Sequence, residues 1–397
     1  MYLFFSSFGI ETTVFHINPD DNFPIHRLYL FLTAIVFLFN LQQTLIGVLN
    51  NKSLMILVVY IAITAFWSSK PLESLKLFLS LIAMIIISIM TVMAFIDNRV
   101  GLIKKLFWLF FLVAILNAAV AQFLPQIGVD KVHFPKPRWT GITFHPNVLG
   151  ANALILVWLS INLFNQVDGK FIKTLNVLAI GLAFYIIYKA DSMTSMLAAL
   201  AIAAYTIYVY ANLRLFSKII LFLFIFIGLL FVIGFYKSPV ELLSDLLEVN
   251  GRNITFTGRT VLWRKSLFAL SDHLFFGYGF DNLEGLTKRQ FKQFFNMSHL
   301  HNGFIEILLK GGLIGFFLLI INLFKTYYFQ LKIRSKYKHD YVFLNTGFIM
   351  VIMHNFTEST LLKGLLTMDL IFIFIAVFTQ LLYLQIQHEN LDMHTGV

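Results

Sequence analysis

The chain has 397 residues, 58% of them hydrophobic and only 13% charged, with a net charge of +10 and no cysteine. Soluble globular domains carry about 25% charged residues, so this composition excludes an ordinary soluble fold and predicts an all-α polytopic membrane protein. The lack of cysteine excludes disulfides, thiolate metal sites and cysteine nucleophiles. The basic residues lie in loops between apolar runs, which fits positive-inside placement and anionic phosphate ligands and argues against nucleic acid as a partner. No cleavable signal peptide is expected, because residues 1–26 lack a basic segment followed by an apolar run and Pro19-Asp20-Asp21 interrupts them.

Apolar runs matched to a bilayer core of about 30 Å predict about eleven transmembrane helices (range about 10–12). They fall near 27–48, 53–67, 75–96, 103–124, 147–164, 171–188, 193–210, 217–236, 304–325, 341–357 and 366–385. The second run is short, and the first contains Asn40, Gln42 and Gln43. With no internal repeat in view, residues 1–397 read as a single integral membrane domain. The stretch 325–340 sets Lys325, Lys332, Arg334, Lys336 and Lys338 against Asp340 alone, which assigns it to the cytoplasm. Alternating backwards from there puts Arg214/Lys218, Lys170/Lys173 and Arg99/Lys104/Lys105 on the same side. Two long polar segments are then extracytoplasmic: 125–146 and the larger 237–303, which should contain short helices.

Four stretches carry chemical vocabulary. In Arg138-Trp139-Thr140-Gly141-Ile142-Thr143-Phe144-His145-Pro146-Asn147-Val148-Leu149-Gly150, Pro146 stops helix through His145, so Asn147 begins the next span. Free N–H groups there favour an anion; taken alone, the stretch reads first as an ordinary helix start with an interfacial tryptophan. Next, Arg259 and Trp263 share a face of a short helix, with Val261, Leu262, Leu267, Phe268 and Leu270 as apolar surface for the outer leaflet. That helix either presents Arg259 to phosphate or simply anchors its loop. Gly277-Tyr278-Gly279 is a turn signal.

His301 and Asn302 stand at the mouth of a span, and on a continuous helix His301, Ile305, Leu308, Gly312 and Gly315 form one stripe. The glycines then read as close-packing positions. His301 is either a general base with an ordinary pKa of about 6.5 or a packed interfacial histidine. The pair His299/His301 lacks a third ligand at a set spacing, so no metal site is expected. Finally, His354 and Glu358 are four apart at the end of a span and within reach of one another. Lys189 and Asp191 are similar, with less context.

These residues resemble the O-antigen ligase and polymerase superfamily of bacterial surface-polysaccharide assembly. His301-Asn302, then Gly312-Leu313-Ile314-Gly315, is similar to the histidine-centred motif of O-antigen ligases, which continues Thr-Gly where this chain has Phe316-Phe317. Thr257-Gly258-Arg259-Thr260 with Trp263, followed by Gly277-Tyr278-Gly279-Phe280, resembles the preceding segment of exopolysaccharide polymerases. Arg138 to Gly150 resembles an earlier outer loop, Trp67-Ser68-Ser69-Lys70-Pro71 with Ser74-Leu75 another family segment, and Glu358 a late acidic position. Where the family often has Ser-Arg or Ser-Lys, Ser192 is followed by Met193, and Lys189 is the candidate substitute.

The resemblance implies an inverting glycosyl transfer at the periplasmic face of the bacterial inner membrane, with glycans on undecaprenyl pyrophosphate as substrates and no cofactor, nucleotide or metal. It implies His301 and Glu358 as catalytic residues and Arg259 and Arg138 as pyrophosphate ligands, with Asn302, Trp263, His354 and Asn147 in support. The lipid bilayer surrounds the protein, and a chain-length regulator is a candidate partner. Thr257-Gly258-Arg259-Thr260 and the missing Thr-Gly favour a polymerase over a ligase acting on lipid A-core or a protein glycosyltransferase. A flippase should show inverted repeats and midplane polar groups, whereas this chain concentrates its polar residues in one outer loop.

Overall fold

Prolines and asparagines set where many of these helices begin. Pro71, Pro125 and Pro146 each occupy the first turn of a helix, where the missing N–H removes no hydrogen bond. Asn98 accepts from the Gly101 N–H at 3.0 Å, and Asn302 accepts from both Phe304 and Ile305 at 3.0 Å, as N-cap residues do. The computed structural model describes residues 23–131, 136–143, 145–211, 259–280, 300–364 and 367–395.

Apart from the single turn Pro125–Gly128, the α-helices are α1 (Phe23–Phe39), α2 (Leu41–Asn50), α3 (Lys52–Ile63), α4 (Pro71–Phe95), α5 (Arg99–Phe123), α6 (Pro146–Phe164), α7 (Lys170–Lys189) and α8 (Met193–Ala211). They continue with α9 (Arg259–Leu270), α10 (Gly303–Ile333), α11 (Lys338–Asn355) and α12 (Thr367–Thr395). A two-residue antiparallel ladder joins β1 (Val129–Asp130) to β2 (Arg138–Trp139), with Asp130 opposite Arg138. The protein is an all-α polytopic membrane protein. Among the described residues seven helices are long and apolar enough to cross a membrane, or eight if the bent α1–α2 pair forms one span.

The sequence count of eleven is therefore not reached within the described residues. The run near 217–236 lies outside them, as do Arg214, Lys218, Arg252, Thr257, Gly258, His299 and much of 237–303. The first expected span is two helices meeting at 100° beside Asn40. The second is twelve α-helical residues followed by a 3-10 turn, Thr64–Phe66. α11 forms where a span was expected but carries Asp340, Asn345, Thr346, His354 and Asn355 in the protein interior.

Two helices hold the centre. α6 packs on α5, α7, α8 and α11, and α12 on α4, α10 and α11. Between α6 and α11, the Trp158 ring stacks on Phe343 with centroids 4.4 Å apart, and its Nε1–H donates to the Phe343 carbonyl at 3.0 Å. A side chain at Gly347 would meet Trp158 carbon at 2.8 Å, so only glycine permits this approach. At one end of the bundle, Arg99 meets Asp340 at 3.1 Å and covers the Tyr337 ring, while Tyr210 meets His339. The opposite end gathers the starts of α6, α8, α9 and α10 and the segment after α11.

α10 is not continuous. Gly312 has φ +62° and ψ −165°, which breaks the helix in its middle. The segment 274–280 docks into that break: Tyr278 and Gly279 donate to the Leu309 and Lys310 carbonyls at 3.1 and 2.8 Å, and Leu313 and Ile314 donate to Leu274 and Phe275 at 2.9 and 3.1 Å. A Cβ at Gly312 would lie 2.3 Å from the Phe275 oxygen. The expected stripe from His301 to Gly315 is thus replaced by a backbone joint, and the 277–280 turn is its other half. Tyr60 donates to the Gly311 carbonyl at 2.7 Å, while Ser74 donates to the Phe280 carbonyl at 3.0 Å.

A candidate active site around Glu358

Glu358 follows the end of α11 by three residues and is nearly buried, at 8% exposure. Its backbone is fixed on both sides: the Glu358 N–H donates to His354 at 3.0 Å, and its carbonyl accepts from the Gly303 N–H at 3.1 Å. The carboxylate then takes three side chains from three distant parts of the chain. Oε1 accepts from Asn147 Nδ2 at 2.8 Å and lies 3.5 Å from Arg259 Nη2, while Oε2 lies 3.3 Å from His301 Nδ1. Burial alone would push this carboxyl up. The hydrogen bond and charge of His301, and then the charge of Arg259, outweigh it and hold the group at about 2.

His301 is not on a helix. It precedes the Asn302 cap, with a φ of +52°, a left-handed conformation uncommon outside glycine. Its neighbours enforce this: the Asn302 N–H donates to Ser359 Oγ at 3.0 Å and Asn302 Nδ2 donates to the Phe356 carbonyl at 3.1 Å. With Glu358 ionised and able only to accept, Nδ1 carries the hydrogen and Nε2 is left as the basic nitrogen. Asn302 is therefore a cap and a staple, and Glu358 is the group that orients the imidazole.

Arg259 starts α9 and donates to the Thr357 carbonyl at 2.7 Å, with 27% of its side chain exposed. Trp263, one turn on, is buried and donates to the Leu300 carbonyl at 2.8 Å. α9 packs on α10 through Leu262, Ala269 and Leu270, which cluster with Leu300 and Leu309, leaving Leu267 and Phe268 as its outward apolar surface. Leu262 and Leu270, expected on one lipid-facing surface with Leu267 and Phe268, thus turn inward.

Arg138 reaches the same site from within. Buried at 5% exposure, it donates through Nε to the Ala190 carbonyl at 2.8 Å and through Nη2 to Asp191 at 2.9 Å and Asn147 Oδ1 at 3.1 Å. Asn147 accepts from Arg138 and donates to Glu358, so one amide relays the arginine to the carboxylate. His354 is buried, but its Nδ1 meets Thr360 Oγ1 at 3.3 Å and only its backbone carbonyl touches Glu358. The expected His354–Glu358 side-chain hydrogen bond is absent. Lys189 instead lies over the Trp139 and Tyr185 rings.

Sequence reading passed over three features. His145 lies within electrostatic reach of Glu358, Arg138 and His301; its place beside Pro146-Asn147 was the available signal. Thr194 and Thr357 share a 2.5 Å hydrogen bond that ties the start of α8 to the segment holding Glu358. Glu306, Lys310 and Lys363 form a charged group beneath His301, and only the i,i+4 spacing of the first two was legible.

Comparison with known proteins bears on this arrangement. Residues 178–320 match a family described as O-antigen ligase. That stretch contains Arg259, Trp263, His301 and Asn302, and ends before Glu358. The chain is 32% identical over 163 residues to the exopolysaccharide production protein ExoQ of Rhizobium meliloti (strain 1021), covering 38% of this chain and 37% of that protein. It is 29% identical over 128 residues to an uncharacterized protein of Haemophilus influenzae, covering 30% of this chain and 32% of that one. The chain thus matches about a third of the length of each relative.

Proposed function

From the family that these matches support, the O-antigen ligase and polymerase superfamily, we propose that the protein is a glycosyltransferase of surface-polysaccharide assembly. It elongates a glycan carried on undecaprenyl pyrophosphate, at the periplasmic face of the inner membrane. The observation that carries the reading is the convergence of His301, Arg259 and, through Asn147, Arg138 on one buried carboxylate at one end of the bundle.

In this reading an acceptor hydroxyl gives its proton to His301 Nε2 while its oxygen attacks the anomeric carbon of the donor sugar. The bond from that carbon to the pyrophosphate oxygen breaks, and in-line attack from the opposite face inverts the configuration. Glu358 holds the imidazole and stabilises the imidazolium as the proton arrives, the role a carboxylate plays behind a catalytic histidine. Arg259 meets the charge developing on the leaving pyrophosphate, where a preorganised guanidinium is most effective. Arg138 contributes from the inner layer by fixing Asn147. The leaving group is already a pyrophosphate, so the reaction calls for no nucleotide to activate the donor, and Arg259 offers it positive charge.

The match to a family described as O-antigen ligase favours a second reading, in which the acceptor is lipid A-core. Purified protein with a lipid-linked repeat unit separates them. Elongated lipid-linked products are expected; transfer only to added core assigns a ligase, and translocation without transfer assigns a flippase and overturns the glycosyltransferase reading.

A further inference from the structure

Beneath His301 lies a second carboxylate that the proposed reaction does not use. Glu306, in the first turn of α10, is buried at 2% exposure. Its Oε1 is 2.9 Å from Lys310 Nζ and also pairs with Lys363, from the segment after Glu358. Its Oε2 accepts from the Leu300 N–H at 3.3 Å. The other side of Leu300 is held by Trp263 through the carbonyl. Both hydrogen-bonding groups of the residue before His301 are therefore committed, one to a carboxylate and one to an indole. Lys363 is itself fixed, because Asp369 accepts the N–H groups of Leu362, Lys363 and Gly364 at 3.0, 2.9 and 2.7 Å.

We propose that Glu306, braced by Lys310 and Lys363, is a positioning residue for His301: it clamps Leu300 against Trp263 so that His301 is held in left-handed backbone, facing Glu358. A strained φ persists only where its surroundings over-determine it, and this clamp does so on the side that Asn302 does not reach. The carboxylate charge is required as well as its shape. Glutamine would still accept from Leu300, but it would leave two largely buried ammonium groups without their counterion, and such groups are costly to leave unpaired. The structural part of this inference stands by itself, and its kinetic part rests on His301 as the general base.

The test uses full-length protein in detergent or vesicles. Modification of His301 by diethyl pyrocarbonate, followed by mass spectrometry, reports how firmly the imidazole is held. In Glu306→Gln the rate should rise about fivefold or more, the equilibrium change expected when a charged hydrogen bond becomes a neutral one. Trp263→Phe, which leaves the charges alone, should raise it in the same direction. Unchanged His301 reactivity in both variants overturns the clamp. With a lipid-linked substrate, Glu306→Gln should lower kcat about 10- to 100-fold, as misplacement of a catalytic group does, while KM stays within about twofold. A KM effect alone also overturns it. If wild-type protein elongates nothing while the modification rates still respond, the glycosyltransferase reading fails and the clamp survives.

Discussion

Arg138 and Arg259 sit in the two polar segments at the same end of the bundle, and they reach Glu358 in different ways. Arg138 is buried on a two-residue strand, and its contacts are the carbonyls of Ala190 and Asp191 and the amide of Asn147. Arg259 begins a short helix packed on α10, touches Glu358 itself and keeps about a quarter of its side chain in the open. Both were read from the sequence as pyrophosphate ligands, yet they are placed for different work. In the proposed reaction, a guanidinium enclosed by backbone carbonyls is suited to holding the frame, and one at the rim is suited to meeting the pyrophosphate. An arginine in an outer polar segment is thus informative only once its other partners are known.

The sharpest challenge to this comparison lies between them, at the imidazole. Removing a general base costs about 10²- to 10⁴-fold, so His301→Ala should nearly abolish elongation while the protein still inserts in the membrane; wild-type chain lengths from this variant would remove His301 from its role. Arg259→Lys keeps the charge but loses the planar fork. Its kcat/KM should fall about 10- to 100-fold, the weight of a hydrogen bond between charged groups, and an unchanged rate would end the case for pyrophosphate contact.

Arg138→Lys should behave in the opposite sense. Loss of its fork to Ala190, Asp191 and Asn147 should destabilise the protein by about 1–3 kcal/mol, read as a lower melting temperature in detergent, with a smaller kinetic effect than Arg259→Lys. If the ranking reverses, the division of labour drawn here is wrong. The smallest effect concerns pH. Glu358 is depressed to about 2 from an ordinary value near 4.5, so its stabilising contribution is complete above about pH 4.5 and is lost as pH falls through about 2. The melting-temperature gap between wild type and Glu358→Gln should therefore narrow only as pH falls from about 4.5 towards about 2. A gap that closes nearer neutrality would show that Glu358 is not held by its cationic neighbours.

Much of the site was legible one segment at a time. Pro146 does keep His145 out of the helix that begins there, Arg259 and Trp263 do lie a turn apart on one helix, and Asn302 does stand at the mouth of a long helix. What could not be read were partners that leave no local mark. Two acceptors of Arg138 are backbone carbonyls about fifty residues away, and any residue type supplies a carbonyl. Gly312 read as a packing position because a glycine in an apolar run looks the same whether it admits a neighbouring helix or breaks its own. Only the approach of residues 274–280 distinguishes the two. His354 was misjudged for a related reason: spacing of four brings side chains near, but Thr360 from beyond the helix took the imidazole.

The amino-acid sequence by itself determined the solvent of this protein and most of its helices, because backbone in lipid must pair within a helix or a closed barrel, and unbroken apolar runs lack the alternation of barrel strands. It also determined which residue types were on hand for catalysis. Folding decided which of them meet. The sequence separations of 211 between Asn147 and Glu358, and of 57 between His301 and Glu358, are closed by packing of several helices at once. No periodicity within one segment encodes that closure, since each ligand of the carboxylate is placed by a different helix end.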